Sequence, residues 1–276
     1  MKLIESKVEV IEQQPGLEGM YKHIELAGRV SYKSEDKITE DSAKEFVDRM
    51  IKSKHGAVLE HGTLYFNIPV NIDEAGNFLD EVPTWTKCKL VESEKGNWWA
   101  ITTNLRVMVE HFAPEYIEEL IEKYLCEPTE HHEKRITARF TIDRINSQSI
   151  VRHRTMSFTQ ESQRFCNYSK DKFNNEVTFV KPHWFNEEFP ASLTWIEAMR
   201  DAEKRYFELI EMGLKPQDAR GVLPNETKTE IVVTGFESDW EHFFSLRSPK
   251  YGAQGPHPNI AKLADELYEK LNSVNK

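Results

Sequence analysis

Residues 135–154 read RITARFTIDRINSQSIVRHR, and two different spacings meet inside them. Ile136, Ala138, Phe140 and Ile142 occupy alternate positions, so an extended chain puts all four on one face, as in a half-buried strand. At Asp143 the alternation stops. A carboxylate there can accept the free amides of a helix's first turn, and RINSQSI continues as that helix into Val151 and the triplet Arg152-His153-Arg154. A strand feeding a helix without a linker fixes where in the fold this basic triplet sits.

The same spacings recur outward. Downstream, EVTFVKP (176–182) reads as a short strand, SLTWIEAMRDAEKRYFELIEMG (192–213) as a long amphipathic helix, and TKTEIVVTG (227–235) as a buried strand. KPQDARGVLP (215–224) begins a helix with Pro216 in its first turn, SDWEHFFSLR (238–247) a helix capped by Ser238, and NIAKLADELYEKL (259–271) a terminal helix. Upstream, TEDSAKEFVDRMIKSKHG (39–56) is a helix with Ala43, Phe46, Val47, Met50 and Ile51 on one face, capped by Thr39 or Ser42 and closed by Gly56. TLYFNIPV (63–70) alternates as a strand. Within 71–135, WTKCKLVESEKGNWWAITTNL (85–105) reads as a hairpin, PEYIEELIEKYL (114–125) as an acidic helix, and EPTEHHEKR (127–135) as a solvated connection. The pattern continues on both sides of this block, which predicts a single catalytic domain, 1–276, carrying an insertion at 71–135. Strands and helices intermix with neither a regular βαβ rhythm nor a repeat, so the fold class is α+β.

The formal net charge is −10 and the hydrophobic content 39%. That supports a real core and argues against a general nucleic-acid binder, which needs a basic face. Cys88, Cys126 and Cys166 are odd in number and without a C-x-x-C pair, so neither a disulfide framework nor a zinc knuckle is expected. With no signal core and no membrane-length apolar run, a reduced cytoplasmic protein is the expectation.

Against that acidic background, VRHRTMSFTQESQRF (151–165) concentrates Arg152, His153, Arg154 and Arg164 around Ser157, Thr159, Gln160 and Ser162. One arginine at a helix end merely complements the dipole. Three with hydroxyls between them form a cradle for a small anion, since the planar guanidinium pairs with phosphate oxygens at two points. There is no glycine-rich phosphate loop, so side chains must do the holding. His55 and His61 have the wrong spacing for one helix face and read as polar residues flanking a turn, with no metal expected. His131, His132 and Glu133 read as a wet charged face. Cys166 can be read as a nucleophile or as a small core residue, and the core reading is preferred.

The stretch RHRTMSFTQESQR resembles the signature of the flavin-dependent thymidylate synthases, R-H-R, seven residues, then S; here residues 155–161 separate Arg154 from Ser162. GRVSY (28–32), HGAVLEHGTLYFNI (55–68), DARGVLP (218–224) and WEHFFSLR (240–247) resemble the family's other landmarks in the family's order. The resemblance implies a mainly antiparallel sheet and reductive methylation of dUMP to dTMP, with methylenetetrahydrofolate as carbon donor, FAD as cofactor and NADPH as reductant. It implies that Arg152, His153, Arg154, Gln160, His55, Glu60 and His242 line the FAD site. Ser149, Arg152, Gln160, Glu161, Ser162, Gln163, Arg164, Arg220 and Arg247 would hold dUMP, with Arg247 the catalytic residue polarising the uracil ring. It also implies a homotetramer with shared active sites. The chain departs from the pattern at Thr159-Gln160, where the family often has Asn-Glu, and Glu161 lies one position on. Two other readings are a nucleotide-binding regulatory module and a flavin-free methyltransferase using a cysteine.

Overall fold

A computed structural model describes residues 1–70, 85–94 and 96–274. Among the described residues nine strands form three sheets: β1 (Lys2–Ile4), β2 (Lys7–Ile11), β3 (Thr63–Pro69), β4 (Lys87–Val91), β5 (Trp98–Asn104), β6 (Arg135–Asp143), β7 (Ser157–Gln160), β8 (Thr178–Val180) and β9 (Lys228–Phe236). The largest sheet runs β2-β6-β9-β7, antiparallel throughout. A second antiparallel sheet runs β3-β5-β4, and β1 and β8 pair in parallel. The α+β, mainly antiparallel reading is therefore right for the described residues.

The β2-β6-β9-β7 sheet is covered on both faces. Ala138, Phe140, Ile142, Ile231 and Val233 pack against Trp240, Phe243 and Phe244 of the Glu237–Arg247 helix and Ile260, Leu263 and Leu267 of the Pro258–Val274 helix. On the other face Val232 meets Ala27 and Val30 of the Gly16–Tyr32 helix. Aromatic and branched side chains at alternate strand positions and at helical spacing account for this two-sided burial, the dominant stabilising term.

A second core joins Met20 and Ile24 to Phe46 and Val47 of the Ser42–Lys52 helix, Phe66 and Ile68 of β3, Ile101 of β5, Met108 of the Leu105–His111 helix and Leu120 of the Pro114–Tyr124 helix. Within 71–135, β4 and β5 pair as antiparallel neighbours and the Pro114–Tyr124 helix follows, while residues 71–84 and 95 lie outside the described residues. Their packing is not that of an appendage, because β5 is the central strand of its sheet and pairs with β3 along its whole length.

Several local readings need correction. Ser238 does not cap its helix: Phe236 occupies the cap position, its amide donates to Asp239 Oδ2 at 3.0 Å, and Ser238 hydrogen-bonds Glu133 instead. Ser42 is the first residue of a helix that ends at Lys52, and its hydroxyl donates to Glu25. Gly56 opens the short Gly56–Leu59 helix rather than closing the one before. His132 and Glu133 are not a wet face, since His132 is buried with Nε2 3.1 Å from the Phe66 carbonyl.

Candidate functional site

Asp143 caps the Arg144–Ile150 helix as the sequence suggests, accepting from the Asn146 amide at 2.8 Å and from Asn259 Nδ2 at 3.2 Å. This carboxylate ties the turn that follows to the terminal helix. His153 emerges buried, with Arg152 and Arg154 exposed on either side of it.

The Glu237–Arg247 helix brings its last residue to the same turn. Arg247 Nε donates to His153 Nε2 at 3.4 Å, and Nη2 to the Ser149 carbonyl at 3.2 Å. A guanidinium can only donate, so His153 Nε2 accepts and the ring carries its proton on Nδ1. Burial, Arg247 and His242 push the His153 pKa down to about 4, which keeps the ring neutral at physiological pH. The rings of His242 and His153 meet edge-on at 5.8 Å. Ser149, His153, His242 and Arg247 thus converge within one chain.

β7, a strand the sequence reading left unassigned, orients the next residues. Gln160 Nε2 donates to Ser147 Oγ at 2.9 Å and Thr229 Oγ1 at 3.1 Å. Glu161 turns inward, where its Oε2 meets Lys228 Nζ at 2.8 Å. Lys228 also pairs with Glu230, which in turn holds Arg139 and Lys33. Burial opposes ionisation of Glu230, but Lys228 and Lys33 outweigh it and hold the carboxyl below its usual range. Glu161 thus commits Oε2 to a buried ion network, while its Oε1 is buried without a hydrogen-bond partner among the described residues.

Ser162 donates its amide to the Ser31 carbonyl at 2.9 Å, docking the motif on the end of the Gly16–Tyr32 helix. Gln163 is buried, whereas Arg164 is exposed and lies 5.5 Å over the Phe165 ring, itself 4.9 Å from Tyr32. Arg220 is half-buried, and among the described residues its side chain makes one hydrogen bond, to the Gln217 carbonyl.

Ser31 and Tyr32 also border a cavity of about 410 Å³ lined further by Met50, Lys54, His55, Gly56 and Arg106. Exposed His55 leads into the Gly56–Leu59 helix, at whose end Glu60 is buried against Arg106. The sequence reading missed Arg106, since nothing in LRVMVEH marks it apart from a surface helix.

His61 was misread as the flank of a turn. It is 0% exposed, its Nδ1 2.8 Å from Thr234 Oγ1 and its Nε2 2.9 Å from Thr159 Oγ1. Thr234 meets Thr137 at 2.7 Å, and Thr137 meets His23 Nε2 at 2.9 Å. Burial pushes the His23 pKa down to about 4 and His61 well below its usual value, with Arg135 contributing to both.

The donor set suits a phosphorylated ligand. Arg152, Arg154, Arg164 and Arg220 have no carboxylate partner among the described residues, whereas Arg29, Lys33, Arg139 and Lys228 are each paired with one. Cys166 is a different matter: it is 0% exposed in the core of Tyr206, Phe179 and Met199, and burial pushes its thiol up to about 12.

Comparison with known proteins adds an independent line. The family model described as thymidylate synthase complementing protein matches residues 89–275. Flavin-dependent thymidylate synthases of Pyrococcus furiosus and Pyrococcus abyssi are 38% and 36% identical over 104 residues, 38% of this chain and 42% of each relative. That of Pyrococcus horikoshii is 33% identical over 141 residues, 50% of this chain and 57% of the relative. The chain spans about half the length of the curated relatives it matches. A UMP/dUMP methylase from Streptomyces cacaoi, solved with 5-Br dUMP, aligns over 99% of this chain and 93% of its own at 18% identity and a TM-score of 0.47.

Proposed function

The chain belongs to the thymidylate synthase complementing protein family, and from that premise we propose that it is a flavin-dependent thymidylate synthase. It converts dUMP to dTMP, with methylenetetrahydrofolate as carbon donor and NADPH as reductant. The observation that carries this reading is the oriented guanidinium of Arg247, fixed by His153 and Ser149 beside the uncompensated arginines of the motif.

FAD, when bound, supplies the hydride chemistry, and the protein supplies position and charge. Arg152, Arg154, His55 and His242 are the residues that would hold it. Arg164 and Ser162 grip the nucleotide phosphate, with Gln160, Gln163 and Arg220 completing that side. Arg247 uses Nε and Nη2 for its anchors. Nη1 remains to face the polar edge of the uracil, where negative charge builds as the ring is activated and C5 becomes nucleophilic enough to attack carbon. A donor held ready at that point stabilises the transition state more than the ground state. His153 acts through Arg247 as a positioning residue, and only its neutral form can do so.

Residues 1–276 act as one catalytic domain with 71–135 folded into it. Exposed apolar side chains beside the motif (Ile145, Val151, Leu246) fit a tetramer whose sites lie between subunits. No described helix is long and apolar enough to cross a membrane, and a cytoplasmic place suits these substrates. The cysteine route is disfavoured by the burial and raised pKa of Cys166. The decisive experiment is an absorption spectrum of the purified protein with an assay for NADPH-dependent dTMP formation. A colourless protein that FAD does not reconstitute, and that makes no dTMP, overturns the reading.

A further inference from the structure

Arg106 sits in the Leu105–His111 helix, inside the block that the sequence sets apart from the catalytic segments. Its guanidinium is fixed on three sides. Nε donates to Glu110 Oε1 at 2.8 Å, Nη1 donates to buried Glu60 Oε1, and the Trp85 ring lies 5.5 Å from the guanidinium carbon. Nη2 has no acceptor among the described residues, and Arg106 lines the cavity of about 410 Å³ shared with Ser31, Tyr32, Lys54 and His55.

A second observation is steric. A Cβ built on Gly56 would lie 3.0 Å from both Arg106 Nε and Glu110 Oε1. The glycine beside His55 thus leaves room for this arginine at the cavity wall. The two carboxylates outweigh its single positive charge, so Arg106 offers the cavity an aimed hydrogen-bond donor rather than a net cation, with little left to reorganise on binding. The cavity adjoins the motif through two of its wall residues, because Ser31 receives the Ser162 amide and Tyr32 packs on Phe165.

We propose that Arg106 is a binding residue of the flavin nucleotide site, donating Nη2 to an acceptor of the bound cofactor, so that the 71–135 block completes the cavity around His55. This rests on the flavin reading above. It assigns the block a part in binding, and it makes Glu60 and Glu110 positioning residues that act through Arg106.

The test is FAD affinity, read by fluorescence titration of the flavin-free protein, beside dUMP affinity of the same preparations. Arg106→Ala and Arg106→Lys should each weaken FAD by about tenfold, the size expected for one well-aimed hydrogen bond, while dUMP affinity holds. Lysine fails because a point charge cannot keep both carboxylate anchors and a third donor in one plane. Gly56→Ala, which displaces the arginine without removing it, should weaken FAD in the same direction. Wild-type FAD affinity in Arg106→Ala overturns the assignment, as does an equal loss of FAD and dUMP binding, which would mark a purely structural role. Should Arg106→Ala fail to fold, Arg106→Gln and Gly56→Ala decide the matter by the same criteria. If the unmodified protein binds no flavin, the functional reading itself fails, an outcome distinct from either of these.

Discussion

Arg247 and His153 meet nitrogen to nitrogen, Nε to Nε2 across 3.4 Å, a contact that exists only while the imidazole is neutral. Replacing Arg247 by Ala is expected to lower kcat for dTMP formation about 100-fold or more, the usual loss for a preorganised donor. FAD content and NADPH oxidation should persist, because neither involves the uracil ring. Arg164→Ala should instead raise the KM for dUMP, since the phosphate is unchanged through the reaction. Steady-state kinetics of the two variants separate these roles, and normal turnover in Arg247→Ala refutes the assignment.

Acid should weaken the fold through buried histidines. His23 and His153 have folded-state pKa values near 4, below the ordinary value of 6.5, because burial disfavours the charged ring. Between those limits the unfolded chain binds more protons, so their stabilising contribution is complete above pH 6.5 and is lost as pH falls toward 4. Thermal melts across that window should show Tm falling with pH, and His23→Gln should flatten the slope. An unchanged slope counts against the neutral-ring assignment.

Cys166→Ala should retain dTMP formation within about tenfold, with a modest loss of stability from the smaller side chain. A thiol pushed up to about 12 by burial contributes almost no thiolate at neutral pH. Abolished turnover in a folded, flavin-loaded variant would revive the cysteine route.

Lys228→Met should be severe. It leaves Glu161 without its cation and takes one from Glu230, and breaking a buried pair on one side costs about 3–5 kcal/mol. Chemical denaturation measures it, and a loss below 1 kcal/mol would mean the network is solvated.

Deleting residues 71–135 should prevent folding of the N-terminal half rather than yield a trimmed enzyme, as β5 is the middle strand of its sheet. Far-ultraviolet circular dichroism of the deletion checks this, and a native spectrum with bound flavin would contradict it.

What was legible in the sequence follows burial pattern. β6, β9 and the Pro190–Glu211, Glu237–Arg247 and Pro258–Val274 helices carry apolar residues at one clear period, so they could be read. The Gly16–Tyr32 helix escaped, because its buried face includes His23 and Glu25 and a glycine, Gly28, against which Phe46 packs so closely that a Cβ would come within 2.5 Å. β7 is four residues of mostly polar motif, and only its pairing with β9 makes it a strand. Arg247 and His153 were each visible as motif residues, but their contact spans 94 positions. Arg106 and Glu60 lie 46 apart with no motif linking them.

The buried line from His23 through Thr137, Thr234 and His61 to Thr159 has one more property. Each hydroxyl owns a single proton, and Thr234 is fully enclosed. If His61 carries its hydrogen on Nδ1, Thr234 must pass its own to Thr137, and Thr137 to His23 Nε2, which leaves His23 protonated on Nδ1 as well. Reversing one ring reverses every bond along the way, and any mismatch strands a hydroxyl hydrogen at a cost of about 1–3 kcal/mol. Two imidazoles that never touch therefore hold a single shared bit, one of them at the wall of a separate cavity of about 460 Å³ that Arg135 also lines and the other against the strand that bears Gln160.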